Sequence, residues 1–259
     1  MPEFSLTAKQ IQDNWKTFRD LIDDSFPTRK EVIQDMYDEL EDRIVMMPAS
    51  SVEHYHNAIP GGYIDHVLRV IRFSITEYEL WKAEGLLVEN FTMEELIFAA
   101  MHHDLGKVGF PGEGNEIYIP NPSKWHRDNQ GKMYNSNPNV PFALVQDTSL
   151  FLLQHYGVRC SWQEQVSIRI HDGLYDRANE GYYFTTHLQN KLRTNLPYIL
   201  HNGDMRASRF EFERWAMTSE KLTFYNSTVV PRKHVLSSEV LDKRQQALDE
   251  FERMFGEEQ

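Results

Sequence analysis

Residues 96–110, reading LIFAAMHHDLGKVGF, constrain the fold of this chain more than any other stretch. An apolar helical run ends in His102, His103 and Asp104, Lys107 follows one turn on, and the chain breaks at Gly109, Pro111 and Gly112. A fold that buries this helix also takes an imidazole and a carboxylate out of water, which is tolerated only where they find partners. Adjacent His and Asp offer one neutral nitrogen and one anionic oxygen, a set that suits a divalent metal better than an alkali ion. Lys107 is placed to meet an anion bound at such a metal, and the three together suggest phosphate chemistry. The plain alternative is a histidine that serves as helix C-terminal charge or packing, so the pair needs companions elsewhere.

Companions occur on other apolar helices. After the turn Pro60-Gly61-Gly62, a helix places His66, Val70, Phe73 and Glu77 on one face with Val67, Ile71 and Ile75 beside them. Buried there, His66 needs a backbone carbonyl or a metal as partner. A long helix over 195–219 carries Leu196, Leu200, Asp204 and Ala207 along one line, and its carboxylate needs something positive opposite. A third helix, capped by Ser161 with Glu164, runs through Val166, Ile168 and Ile170 to His171-Asp172-Gly173. His54 and His56, just before the turn, read as structural or as outer partners of ligating side chains. If these faces meet in one core, His66, His103, Asp104 and Asp204 converge as a site for Mn, Mg, Fe, Co, Ni or Zn with open positions for water. Such a site equips a protein for hydrolysis.

The remaining chain reads as mostly α. Two structural helices are expected within 6–47. The first has Ile11, Trp15, Phe18 and Ile22 as its stripe; the second is started by a Thr28–Glu31 capping box and buries Val32, Met36, Leu40, Ile44 and Val45. Thr92 with Glu95 caps the helix that leads into His103-Asp104. Residues 108–146, rich in Pro, Gly and Asn, form a long irregular insertion, with room for a short hairpin. They read as a substrate-facing flap, with Trp125 and Arg127 to stack a base and meet phosphate, beside Tyr118, His126, Lys132 and Tyr134. A helix over 147–156 follows, with His155 as ordinary surface or packing. The segment 237–255 is a charged amphipathic helix that packs back on the core.

Composition narrows the function. The 41% hydrophobic and 12% aromatic content is that of a folded chain, and no apolar run is long enough for a membrane span. The start MPEFSLTAKQ lacks a secretory pattern, so a cytoplasmic protein is expected, with no membrane partner. The single Cys160 rules out a cysteine zinc cage and reads as buried filler. A net charge of −12 argues against non-specific binding to duplex nucleic acid, but not against a small anion held by a metal and a few local cations. Walker A, dinucleotide-binding and GxSxG motifs are absent.

The order His66, then HDLGK at 103–107, then Asp204 resembles the H…HD…D signature of the HD-domain metal-dependent phosphohydrolases. The run PAS at 48–50 with HYHNAIPGGYIDH at 54–66 is similar to the one seen in HD-domain exoribonucleases and related nucleic-acid-processing proteins. The resemblance covers about residues 48–215. It implies an all-α HD-domain helical bundle as the core of a single domain over 1–259, with His66, His103, Asp104 and Asp204 as metal ligands and Asp104 and Lys107 at the chemistry. Some members hold a second metal through further histidines. His171 is the first candidate here and His126 the next, although His171 is followed by Asp172 and the GYP tripeptide of the cyclic-dinucleotide enzymes is missing. With one metal, these two histidines contact phosphate or shuttle a proton. The expected activity is hydrolysis of a phosphate ester or anhydride of a nucleotide by metal-activated water. The alternatives are cleavage of single-stranded nucleic-acid ends and a non-catalytic nucleotide-binding module.

Overall fold

Nine α-helices, and between them one two-stranded sheet, carry the residues that the structure, a computed structural model, describes: 5–86, 90–185, 187 and 189–218. The expected helix at 237–255 lies outside them. The helices α1 (Ala8–Ser25) and α2 (Lys30–Ile44) cover one flank, burying Phe18, Ile22, Met36, Leu40 and Ile44. The core is built from α3 (Gly62–Ala83) and α4 (Met93–His102), followed by a 3-10 turn at Leu105–Val108. The insertion contains β1 (Tyr118–Pro120), α5 (Lys124–Gln130) and β2 (Tyr134–Ser136), with the strands antiparallel and Tyr118 opposite Ser136. Then come α6 (Val145–His155), α7 (Trp162–Ile170), 3-10 turns at Gly173–Tyr175 and Arg177–Asn179, α8 (Glu180–Tyr183) and α9 (Leu196–Thr218). The fold is all-α, and none of the described helices is long and apolar enough to cross a membrane.

Close helix approach depends on two glycines. At Gly203, a Cβ would lie 2.2 Å from Ser74 Oγ and 2.9 Å from the Ser74 backbone, so α9 can lie against α3 only because the side chain is missing there. This contact brings Asp204, the next residue, to the level of His66. At Gly106, inside HDLGK, a Cβ would lie 2.1 Å from the Val145 carbonyl oxygen. The Gly106 amide donates to Ser149 Oγ at 2.7 Å, and that hydroxyl also lies 3.1 Å from the His103 carbonyl it can donate to. The start of α6 thus buttresses the turn that carries Asp104 and Lys107.

A second device aligns α4 and α7. Both begin with a capping box, Thr92 with Glu95 and Ser161 with Glu164. Ser161 Oγ donates to Glu95 Oε1 at 2.6 Å, and the Arg29 guanidinium bridges Glu94 at 2.8 Å and the fully buried Glu164 at 2.7 Å. The two N-termini are pinned together, and helices of ten and nine residues then deliver His103-Asp104 and His171-Asp172 at the same end. Rise per residue fixes that levelling.

The Thr28–Glu31 capping box is not formed. The helix starts at Lys30 with no side-chain cap on Arg29, because the Phe26 carbonyl accepts the amides of both Arg29 (3.1 Å) and Lys30 (2.8 Å) and continues the turn into the helix. The insertion contains the hairpin and is tied to the body at residues 51–53. Met133 and Tyr134 donate to the Ser51 carbonyl at 3.0 and 3.1 Å, and Glu53 donates to Gly131 at 2.8 Å.

Arg29→Ala strips the counter-charge from a buried carboxylate. It is expected to destabilise the fold by roughly 3 kcal/mol, the scale for breaking one side of a buried ion pair. Chemical denaturation checks this, and a midpoint equal to the parent's would show that the α4–α7 alignment does not need Arg29.

Candidate metal centre

His66, His103, Asp104, His171 and Asp204 come together in one buried cluster. His66 Nε2 lies 3.3 Å from Asp204 Oδ1 and 3.8 Å from Asp104 Oδ2; His103 Nε2 lies 3.4 Å from Asp104 Oδ2 and 3.9 Å from Asp204 Oδ1. The other Asp104 oxygen faces His171 Nε2 at 3.6 Å. The ligand atoms of His66, His103 and Asp204 all lie within 4.8 Å of one another, as do those of His103, Asp104 and His171 and those of His56, His66 and Asp104. These groups could hold a metal ion.

The ring orientations fit that use. His103 Nδ1 donates to the Ala100 carbonyl and His171 Nδ1 to the Ile168 carbonyl, each at 2.8 Å and each to the residue three earlier in its helix. A carbonyl only accepts, so the proton of the neutral ring sits on Nδ1 and the Nε2 lone pair faces the cluster. His66 Nδ1 pairs with the buried carboxylate of Glu211 at 3.1 Å, the kind of outer partner that orients a ligating imidazole. Glu211 is in turn held by Arg69, which also pairs with Asp65. The Nε2 atoms of His66 and His103 are buried and have no hydrogen-bond partner among the described residues. Two ring nitrogens that face two carboxylates across a gap are a set of groups that could hold a divalent ion. Both α4 and α7 end here, and their C-terminal carbonyls favour positive charge.

The electrostatics show the same demand for a cation. Burial acts to depress the His66 imidazole, but the carboxylates of Glu211 and Asp204 outweigh it and raise it to about 10. His171 is likewise depressed by burial and raised on balance to about 9, through Asp104 and Asp172. For Asp104, burial works against the charge, and the Lys107 ammonium and the His103 ring overcome it and hold the carboxyl well below the usual carboxylate range. Asp204 is also held low, against burial, by the neighbouring His66 and His103 rings. Lys107 bonds Asp104 Oδ2 and stays cationic despite burial.

The cluster opens on two adjoining cavities. One, of 690 Å³, is lined by His54, Tyr55, His56, Tyr175, His201 and Arg209, among others; the second, of 530 Å³, by Asp104, Lys107, Phe142, Gln146 and His171. His56, Asp172, Tyr175, Asp204 and Ser208 belong to both.

Other expected residues lie elsewhere. Trp125, His126 and Arg127 sit on α5, which buries no residue. Trp125 is 60% exposed and packs edge-on against His126, the Arg127 guanidinium is bonded to the Asn121 carbonyl, and none of the three lines either cavity. Of the flap residues, Tyr118 comes near enough for its hydroxyl to feel the charges of Lys107 and Asp104, and the stretch from Phe142 to Gln146 lines the smaller cavity. Arg206 is paired with Glu77 at 2.6 Å, whereas Arg209 lines the larger cavity. His102 is a packing residue. It is stacked on Tyr37, bonded to the Phe98 carbonyl and held neutral by burial at about 3. Cys160, read as buried filler, is only half-buried against the core, and that burial pushes its thiol up to about 12. Glu211 was not anticipated, and of the two readings given for His56, structural or outer partner, the structure places its ring 4.9 Å from that of His66. Glu211 had a signal, since it lies seven residues beyond Asp204 and so on the same helix face.

Glu211→Gln keeps the shape of the His66 partner and removes its charge. It is expected to weaken divalent-ion affinity roughly 10- to 100-fold in a competitive titration, and an unchanged constant would remove Glu211 from the site. A pH dependence follows as well. His66 and His171 have raised values, so in the metal-free protein their stabilisation is complete below about 6.5 and is lost as pH rises through about 9 and 10. At neutral pH an ion must therefore displace their protons, and titration calorimetry in buffers of different ionisation enthalpy is expected to show release of about one proton or more per ion. Heats independent of buffer would contradict it. Comparison of the chain with protein-family models, with curated proteins and with solved structures finds no match.

Proposed function

We propose that the protein is a metal-dependent phosphohydrolase of the HD type that cleaves a phosphate ester or anhydride of a nucleotide. The observation that carries this reading is the Asp104 carboxylate: one oxygen faces His66, His103 and Lys107, the other faces His171, and the group lines an open cavity. A divalent ion held by His66, His103, Asp104 and Asp204 supplies Lewis acidity toward a phosphoryl oxygen and lowers the pKa of a neighbouring water.

The side chains around it have separable tasks. Lys107 keeps its proton and lines the cavity, where its ammonium balances the charge that builds on phosphoryl oxygens. Asp104, Asp172, Asp176 and Asp204 line the same cavity, so without a bound cation the site repels phosphate. This balance supports metal dependence and opposes simple anion binding. His171 presents an imidazole on the Asp104 side and His56 one on the His66 side, within reach of an oxygen on either flank.

One observation favours a second reading, a phosphodiesterase or nuclease on single-stranded ends. Because Asp204, His56 and Ser208 line both cavities, the cleft extends to both sides of the cluster, leaving room for a group on each side of a phosphorus atom.

Elemental analysis of the purified protein, with a phosphate-release screen of nucleoside mono-, di- and triphosphates and a phosphodiester in Mn, Mg, Co or Ni, tests both readings. His103→Ala and Asp104→Ala are expected to lose metal and turnover while keeping the helical circular-dichroism signal. Lys107→Ala is expected to keep metal and lose kcat about 100-fold, the scale for removing one group that stabilises transition-state charge. Undiminished turnover in either ligand variant would refute the proposed centre.

A further inference from the structure

Two aromatic rings stand where the hydrolytic reading gives them no task. Phe142 is 92% exposed and Tyr175 is 80% exposed, and both line the 530 Å³ cavity that holds Asp104, Lys107 and His171. A contiguous apolar surface at a pocket is a mark of ligand binding, whereas single exposed rings are common, so the lining beside these two matters. The next residues along the chain, Ala143, Leu144 and Val145, continue the apolar side of the wall.

The backbone beneath the rings is tied down. Tyr175 closes the 3-10 turn that follows His171-Asp172, and its amide donates to the Asp172 carbonyl at 3.2 Å. Phe142 lies three residues before α6. Gln146 in the first turn of that helix donates to Asp176, the neighbour of Tyr175, at 3.3 Å. Arg169 of α7 then pairs with both Asp147 at 3.1 Å and Asp176 at 3.6 Å. The segment that carries Phe142 and the segment that carries Tyr175 are thus cross-linked through Gln146, Asp147, Asp176 and Arg169. The two rings are borne on anchored backbone around one cavity, with the carboxylate–lysine pair among its other walls.

We propose that Phe142 and Tyr175 form an aromatic clamp that stacks a planar ring of the substrate while its phosphate meets the site at Asp104 and Lys107. They are specificity residues that select nucleoside phosphates and other aryl-bearing phosphates over ring-less sugar or alkyl phosphates. The inference rests on the phosphohydrolase reading for the chemistry at the metal centre and adds what selects the substrate. Stacking on a ring face accepts any base, because every base has a π-face, so the clamp selects for a ring rather than for one nucleobase. Trp125, exposed as it is, lines a different part of the surface and has no place in the clamp.

The test compares adenosine 5′-monophosphate with ribose 5-phosphate as probes of the Mn-loaded full chain, reading affinity by titration calorimetry and phosphate release in parallel. The parent is expected to prefer the adenosine compound at least about tenfold, and Phe142→Ala or Tyr175→Ala to cut the ratio of the two affinities about tenfold. Phe142→Trp and Tyr175→Phe are expected to restore the ratio, since a ring and not a hydroxyl is required. Absence of a preference in the parent, or a ratio unchanged in both alanine variants, overturns the clamp. Loss of the ratio with no phosphate release by the parent from any compound of the nucleotide and phosphodiester screen keeps the clamp and removes the hydrolase reading; release with an unchanged ratio does the reverse.

Discussion

The structure depends on a buried group of carboxylates and imidazoles whose charges do not balance without a cation. Asp104 is nearly enclosed and Asp204 half-buried, His66 and His103 turn unpartnered Nε2 atoms toward them, and Lys107 compensates only one of the acids. An unsatisfied buried polar atom costs about 1–3 kcal/mol, more when charged, and four helices meet here to enclose several. In the metal-free protein, protons on His66 and His171 stand in for the missing positive charge, which is why both values are raised despite burial. A divalent ion answers the same deficit with more charge and with directed bonds.

Helix arrangement follows from that need. The paired helices α4 and α7 repeat one local design, with a capping box at the start, an apolar body, and a His-Asp pair just past the end whose histidine bonds back to the carbonyl three residues earlier. Their N-termini are joined far from the cluster by Arg29, Glu95 and Glu164, so an ion network on one flank sets the level of the ligands at the opposite end. The helices α3 and α9 meet through the missing side chain of Gly203, and Asp204, one residue on, is thereby brought against His66. Each of these groups is positioned by contacts outside the cluster, so their arrangement is set by the fold.

Charge also sets what the cleft accepts. Four aspartates around one lysine make the smaller cavity hostile to an anion until a cation is present, and exposed rings at Phe142 and Tyr175 offer the apolar contact that a free phosphate lacks. The overall charge of −12 adds a general repulsion toward long polyanions.

Helix positions, most caps and the candidate ligands were legible in the chain because they are written in local periodicity. His66 interrupts an apolar stripe, Asp204 sits between Leu200 and Ala207, and Thr92 and Ser161 precede Glu95 and Glu164 by three residues. Local signals failed where a remote partner competed. Thr28 lost its cap to the Phe26 carbonyl, and Trp125, His126 and Arg127 looked suited to substrate yet lie on a helix that buries nothing. Glu211 shares a helix face with Asp204, whereas Tyr175 came to the cavity from a segment with no periodic signal. By itself the sequence determined which faces are apolar and which polar residues those faces must accommodate, since a 3.6-residue repeat is a property of one helix. Which of those residues share a pocket was decided only by tertiary structure. That depends on close approach between helices at Gly203 and Gly106 and on ion pairs between residues as far apart as Arg29 and Glu164, and neither leaves a periodic trace in the chain.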